Sequence, residues 1–201
     1  MKNITPKDCV VRVSSTLDSS SGKKNLLDGS DETCWSSAQV CLISLLFTSL
    51  SYVILSIRIL FQGLPQSVRL SWNELIPATH FAITFQGGFS ATAVSVYVAA
   101  LRPGKHVDNL DLGMVLGGKV YPKDGNGRQV FELPIPEALP DSVHDEEHPL
   151  SPKQFASASD SVLPLDPNDE RQWIKEFKLE FEKSADPWGR IVVYHLELLQ
   201  A

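Results

Sequence analysis

Hydrophobic and polar residues alternate along several short segments of the chain. The clearest segment is 68–72, where Val68, Leu70 and Trp72 are separated by polar residues. This period of two is the pattern of a strand with one buried face. Comparable runs lie at 8–15, 81–86, 94–98, 130–133 and 177–182.

Other segments complete the prediction of fold class. The β-branched and aromatic run 191–199 is typical of a strand buried on both faces. The sequence DGNG at 124–127 predicts a tight turn between two strands. Only the segment 169–177 suggests a helical turn. Many short strands with little helical periodicity predict an all-β protein built as a β-sandwich.

The segment 136–170 departs from this alternation. It holds nine acidic residues and one basic residue, Lys153, and it is rich in proline and serine. Such a composition does not bury enough apolar surface to offset the entropy cost of ordering, and the segment is long for a loop of a compact domain. We therefore interpret it as an acidic, mobile loop inserted into the domain. Ser151–Pro152 makes a docking or phosphorylation loop the functional alternative.

The segment 40–61 is almost wholly apolar, with Arg58 as its one charge in 22 residues. By length and hydropathy it qualifies as a transmembrane helix. It lies, however, between two predicted parts of one sandwich, and removing residues 40–62 joins a loop to a strand smoothly. Valine codons begin with GT and a glutamine codon can end in AG, so a translated intron is one interpretation. A genuine membrane span and a buried helix or hairpin are the alternatives.

Charge and cysteine content narrow the classes of function. Eighteen basic and 24 acidic residues give a net charge of −6, which argues against general nucleic-acid binding. Cys9, Cys34 and Cys41 are an odd number and form no C-x-x-C motif. The amino end lacks the apolar stretch of a signal peptide. These features predict a cytoplasmic or nuclear protein with free thiols.

Five short blocks of the sequence form a distinctive set: RVSS at 12–15, GKK at 22–24, LD at 27–28 with DETCW at 31–35, FQGGFS at 85–90 and DPWGRIVVYHL at 186–196. They resemble the coagulation factor 5/8 type C (discoidin) domain of the galactose-binding-like superfamily. They cover both termini and the centre of the domain, with the two inserts set aside. The resemblance implies an eight-stranded jelly-roll sandwich, a single domain over residues 1–201, with ligand-binding loops at one end. The turn-rich segment 25–35 ends in Trp35, a large aromatic that we expect to be buried as the anchor of its loop.

The resemblance also implies a candidate calcium site. Many carbohydrate-binding relatives hold a structural calcium ion between a turn and a glutamate of the last strand. The corresponding residues here are Asn25, Asp28, Ser30, Thr33 and Glu197. Hard oxygen ligands from a flexible turn suit calcium. The alternative is a plain tight turn at 28–29 with an acidic cap at 31, and no cofactor is required in either case.

Two glycine-containing loops carry the candidate partner-binding residues Phe89, Trp188 and Arg190. Glycine lets a partner approach the backbone closely, and tryptophan and arginine are favoured at binding hot spots. The structural alternative has Phe89 turned inward, Trp188 closing the end of the sandwich and Arg190 paired with a local acid.

No catalytic motif is present, so we expect a noncatalytic protein. The run HDEEH at 144–148 is interpreted as a solvated acidic segment, and His195 as a satisfied core histidine.

Three function hypotheses follow. The leading one is an intracellular adaptor whose loops at the end of the sandwich bind a protein partner. The family members that the chain resembles include a small single-domain animal protein that associates with nuclear receptors, and this resemblance implies nuclear or cytosolic partnering and a role in transcriptional regulation. The second hypothesis is a module that binds carbohydrate or a lipid headgroup. The third is a single-pass membrane protein anchored by residues 40–61.

Overall fold

The computed structural model describes residues 1–39, 63–101, 113–134 and 173–201. The apolar segment 40–62 and the acidic segment 136–170 lie outside these residues, so the predictions about both stay predictions. Within the described residues the chain forms strands, one 3₁₀ helix (Lys23–Leu26) and no α-helix. The strands are β1 (Lys2–Asn3), β2 (Val10–Val13), β3 (Trp35–Ser36), β4 (Gln66–Ile76), β5 (His80–Phe85), β6 (Ala91–Leu101), β7 (Val115–Val120), β8 (Arg128–Glu132), β9 (Trp173–Ser184) and β10 (Val192–Gln200).

The strands form two antiparallel sheets. One sheet has the order β1–β10–β5–β8, with β3 also paired to β10, and the other has the order β2–β4–β9–β6–β7. Strands β1 and β3 have two residues each, so eight longer strands remain among the described residues. These eight match the number implied for a jelly roll, and the prediction of an all-β sandwich is confirmed.

The core lies between the two sheets, as the alternation predicts. Val68, Leu70 and Trp72 of β4 are buried, and so are Val94, Val96 and Val98 of β6. The residues between them on β4 face outward, where Arg69 pairs with Glu176 of β9. Described residues contain no helix that is both long and apolar enough to cross a membrane, and 40–61 is not among them.

The prediction of a helical turn near 169–177 is wrong for the part that the structure describes. Residues 173–177 belong to β9, which pairs with β6. The pairing shifts by one residue between Ala99 and Ala100, so that Lys175 has no direct partner. This bulge turns both Ile174 and Phe177 into the core, although they are three residues apart. A spacing of three resembles helical periodicity, which misled the interpretation.

Trp35 anchors its loop in the core, as predicted. Its side chain is 0% exposed, and its ring centroid lies 6.0 Å from that of Phe181 in the opposite sheet. Its indole Nε1 donates a 3.0 Å hydrogen bond to the carbonyl oxygen of Ser15. Trp35 therefore joins the two sheets and fixes the loop that precedes it.

The described chain on the two sides of segment 40–62 meets at one side chain, that of Ser15. The backbone N of Ala38 donates to Oγ of Ser15 at 3.0 Å, and the same oxygen lies 2.6 Å from Oε1 of Gln66, to which it donates. The chain before the segment and the chain after it are thus tied together through one hydroxyl. This contact lies where β2 ends and β4 begins.

Candidate binding surface at one end of the sandwich

Antiparallel pairing of β5 with β10 brings the two candidate loops together. The backbone N of Gln86 donates to the oxygen of Val192, and the N of Val192 donates to the oxygen of Phe89, each at 3.1 Å. The loop after β5 and the loop before β10 are therefore neighbours at one end of the sandwich. The two loops meet because these two strands pair, which the sequence does not establish.

A third loop supports the first of these two. Gly88 has φ +83°, which favours glycine, and its N donates to Oδ1 of Asp124 at 2.9 Å. The N of Gly87 donates to Oδ1 of Asn126 at 2.5 Å. Hydrogen bonds to the Asp124 carboxylate hold its pKa below its usual value, the larger effect coming from the Ser90 hydroxyl and the next from the Gly88 amide. Sequence reasoning interpreted 124–127 only as a turn and missed this supporting role.

The loop before β10 is closed by its own hydrogen bonds. The buried carboxylate of Asp186 accepts a hydrogen bond from the backbone N of Arg190 at 2.9 Å. The backbone carbonyl oxygen of Asp186 accepts one from the N of Gly189 at 3.0 Å. Oγ of Ser184 donates to the oxygen of Arg190 at 2.7 Å. Gly189 has φ +75°, a conformation that costs other residues free energy. The loop is thus ordered without a partner.

The three candidate side chains form what we call the aromatic rim: Phe89, Trp188 and Arg190. Trp188 is 60% exposed, so it does not close the end of the sandwich. Phe89 is half-buried, and the guanidinium carbon of Arg190 lies 4.0 Å above its ring centroid. No described acidic side chain pairs with the Arg190 guanidinium. The geometry differs from the structural alternative at Trp188 and Arg190, and the binding role of all three stays a prediction.

The candidate calcium loop is closed by hydrogen bonds among its own residues. Oγ1 of Thr33 donates to Oδ2 of Asp28 at 2.6 Å, and the N of Ser30 donates to Oδ1 of Asp28 at 3.0 Å. Both hydrogen bonds lower the pKa of Asp28, and the one from Thr33 has the larger effect. Nδ2 of Asn25 donates to the carbonyl oxygens of Ser20 and Cys34, at 2.7 and 2.8 Å. The arrangement is that of a self-supporting turn.

Glu197 lies beside this loop but is engaged with a cation of the protein itself. Its Oε2 accepts from Nε and Nη2 of Arg128 at 2.9 and 2.6 Å, and its Oε1 accepts from Asn3 at 3.1 Å. A surface hollow of about 370 Å³ has Gly29 and Glu197 in its wall. Within the described residues no three His, Cys, Asp or Glu side chains are placed to hold a metal ion together. These residues do not fit a calcium ion as arranged, because binding through Glu197 requires Arg128 to release it; the calcium site that the resemblance implies is left for experiment.

His195 has a hydrogen-bond partner, as predicted, but its side chain is 19% exposed and does not belong to the buried core. Its Nε2 is 2.7 Å from Oδ1 of Asp31, whose side chain is 98% exposed. Asp31 therefore contacts β10 and does not cap the turn at 28–29. Cys9 and Cys34 are free thiols, and burial raises the pKa of Cys9 to about 11. The HDEEH run at 144–148 lies outside the described residues.

Some proteins are similar in sequence to almost the whole length of this chain. The mouse (Mus musculus) nuclear receptor 2C2-associated protein is 27% identical over 195 residues, covering 96% of this chain and 91% of its own. The protein of the same name from zebrafish (Danio rerio) is 27% identical over 192 residues, covering 94% and 88%. No family model matches the chain.

Solved structures agree with the fold. A chitosan-binding module of a Paenibacillus chitosanase/glucanase superimposes with a TM-score of 0.56 at 11% identity, covering 100% of both chains. An F5/8 type C domain from Bacteroides fragilis superimposes with a TM-score of 0.51 at 13% identity, covering 94% of this chain and 89% of its own. The chain has a discoidin-type fold. A galactose complex of a family 32 carbohydrate-binding module from Clostridium perfringens shares this discoidin fold, with a TM-score of 0.56 at 11% identity over 98% of this chain and 96% of its own. The resemblance seen in the sequence is thereby confirmed for the fold.

Proposed function

We propose that this chain is a noncatalytic, discoidin-type binding module that holds a protein partner at the aromatic rim. The observation that carries the proposal is the exposure of Trp188, at 60%, on a loop that is already closed by its own hydrogen bonds. Large aromatic side chains supply much of the binding energy of protein interfaces. A loop ordered in advance loses little conformational entropy when it binds.

The chemistry of the rim supports binding without catalysis. It presents an indole, a phenyl ring and a guanidinium, none of which is a nucleophile or a general base at neutral pH. The proteins similar in sequence carry the name nuclear receptor 2C2-associated protein. We therefore propose a nuclear receptor of the 2C2 type as the partner, in the cytoplasm or nucleus, and a role in transcriptional regulation.

A binding measurement with the purified receptor tests this function. The full chain is passed over immobilised nuclear receptor 2C2 from the same organism, and Trp188→Ala is compared with Leu116→Ala. Leu116 is also an exposed apolar residue, but it lies on β7, away from the aromatic rim. We expect Trp188→Ala to weaken binding by about 2 kcal/mol, about thirtyfold, as a hot-spot residue does, and Leu116→Ala to change it less than twofold.

Two results would contradict the proposal. Absence of receptor binding would remove the proposed partner, and equal affinity of the Trp188→Ala and wild-type proteins would remove the aromatic rim as its site. A glycan is the second candidate, because an exposed indole can also stack on a sugar ring. Glycan-array binding that Trp188→Ala abolishes, without receptor binding, would favour that alternative.

A further inference from the structure

We infer that the partner segment held at the aromatic rim carries an Asp or Glu side chain, and that Arg190 binds its carboxylate. The inference rests on the proposed function and adds the chemistry of the partner. The partner segment is defined as an acidic residue next to a large apolar residue, with the carboxylate on the Arg190 guanidinium and the apolar side chain against Trp188.

The first support is that the Arg190 guanidinium has unused hydrogen-bond donors. Its Nε is buried and has no hydrogen-bond partner, and the described residues supply no ion pair to it. Arg69 and Arg128, in contrast, each pair with a glutamate. A guanidinium has five N–H donors, and with Nε buried the four on the two Nη atoms are the ones left for an external acceptor.

The second support is the orientation of the acidic side chains nearby. The Asp186 carboxylate accepts from the backbone N of Arg190, and the Asp124 carboxylate accepts from the backbone N of Gly88. Both carboxylates are hydrogen-bonded to backbone amides of the loops that carry the aromatic rim, and neither pairs with the Arg190 guanidinium. Lys123 and Lys183 are exposed on the adjoining segments and form no ion pair with another described residue. The cationic groups at this end are therefore the ones available to a partner.

The third support is that the guanidinium is held in place. Its planar group lies on the Phe89 ring at 4.0 Å, while the backbone of Arg190 is bonded at both N and O. A planar guanidinium binds a carboxylate through two parallel hydrogen bonds. With Nε buried, the two Nη groups are the donors left for an acceptor, and a carboxylate offers two oxygens to them where a neutral hydroxyl offers one.

Selection from a peptide library tests the inference directly. Phage displaying random 12-residue peptides are selected on the immobilised full chain, and the enriched peptides are synthesised for fluorescence-polarisation titrations. We expect an Asp or Glu within two positions of a Trp, Phe or Leu. Changing that acid to its amide should weaken binding at least about tenfold, as should Arg190→Gln. The two changes together should cost no more than either alone, because each removes the same contact.

Control variants separate charge, geometry and folding. Arg190→Lys keeps the charge but loses the paired donors, so it should bind with intermediate affinity. Arg12→Gln removes an exposed arginine from β2, which lies in the other sheet, and should change affinity less than twofold. Thermal melting shows whether each variant is folded. If Arg190→Gln does not fold, the acid-to-amide change measured on wild type and on Arg190→Lys decides the question.

Three results would overturn the inference. They are enriched peptides without acidic residues, an acid-to-amide effect that is equally large on Arg190→Gln, and no enriched peptide at all. Peptides without acidic residues that no longer bind Trp188→Ala would overturn only the inference that the partner supplies a carboxylate. The proposal that the aromatic rim binds a protein would be unaffected. The receptor assay judges the proposed function separately.

Discussion

Replacement of Trp35 by alanine tests the packing of the core most sharply. The indole is 0% exposed, packs 6.0 Å from Phe181 and donates a hydrogen bond to the carbonyl oxygen of Ser15. Deleting a large buried aromatic costs about 3–5 kcal/mol, because transfer free energy is lost and a cavity remains. The lost hydrogen bond adds about 1 kcal/mol, which places the expected cost of Trp35→Ala near the upper end of that range.

The measurement is urea unfolding followed by far-ultraviolet circular dichroism. For a domain of this size each kcal/mol corresponds to about 2–4 °C in Tm, so Trp35→Ala should also melt at least about 8 °C lower. The slope of its unfolding free energy against urea concentration should equal that of the wild type if the same surface is exposed on unfolding. Trp35→Phe keeps a ring but loses the Nε1 donor, and we expect it to cost about 1–2 kcal/mol.

Trp188→Ala is the matched control, because it makes the same chemical change at a side chain that is 60% exposed. Its unfolding free energy should stay within about 0.5 kcal/mol of wild type. If Trp35→Ala and Trp188→Ala unfold at the same urea concentration, Trp35 is not the anchor between the sheets. The reasoning from burial to stability would then be refuted for this loop.

Two further predictions concern the insert and the candidate calcium loop. A chain lacking residues 40–62 should show a β-type circular dichroism spectrum and one cooperative melting transition, because the chain on both sides of the segment already meets at Ser15. A mostly helical spectrum or a loss of cooperative melting would contradict this prediction. Calcium at millimolar concentration, compared with chelator, should shift Tm by less than about 1 °C, since Arg128 already pairs with Glu197 and a ligand shifts Tm only when it binds the folded state. A calcium-dependent rise of several degrees would instead support the metal site.

The sequence alone determined most of the strands and the fold class. Alternation at 68–72, 81–86 and 94–98 predicted strands that the structure contains, because successive side chains of a strand point to opposite faces and only one face is buried. The large aromatic at position 35 was likewise predicted to be buried. Periodicity is a local property, so it can be recognised without knowing which strands pair.

Strand β7 shows why other elements could not be recognised in this way. Its centre is Gly117–Gly118, which carries no hydrophobic alternation. A Cβ atom at Gly117 would lie 1.8 Å from the carbonyl oxygen of Pro134, so glycine is required by a residue distant in the sequence. The pairing with β6 and this close approach, not the local pattern, make the segment a strand.

The same distinction holds for the candidate sites. Residue types singled out Phe89, Trp188 and Arg190 as binding candidates and the family resemblance implied binding loops at one end, but only the pairing of β5 with β10 placed Arg190 over the Phe89 ring. The calcium ligands were likewise inferred from a family pattern, whereas Arg128, distant along the chain, reaches Glu197 through the sheet. Side-chain partners depend on contacts between distant residues, and such contacts are decided by the tertiary structure because a strand's own sequence sets which face is buried but not which charged group lies across from it.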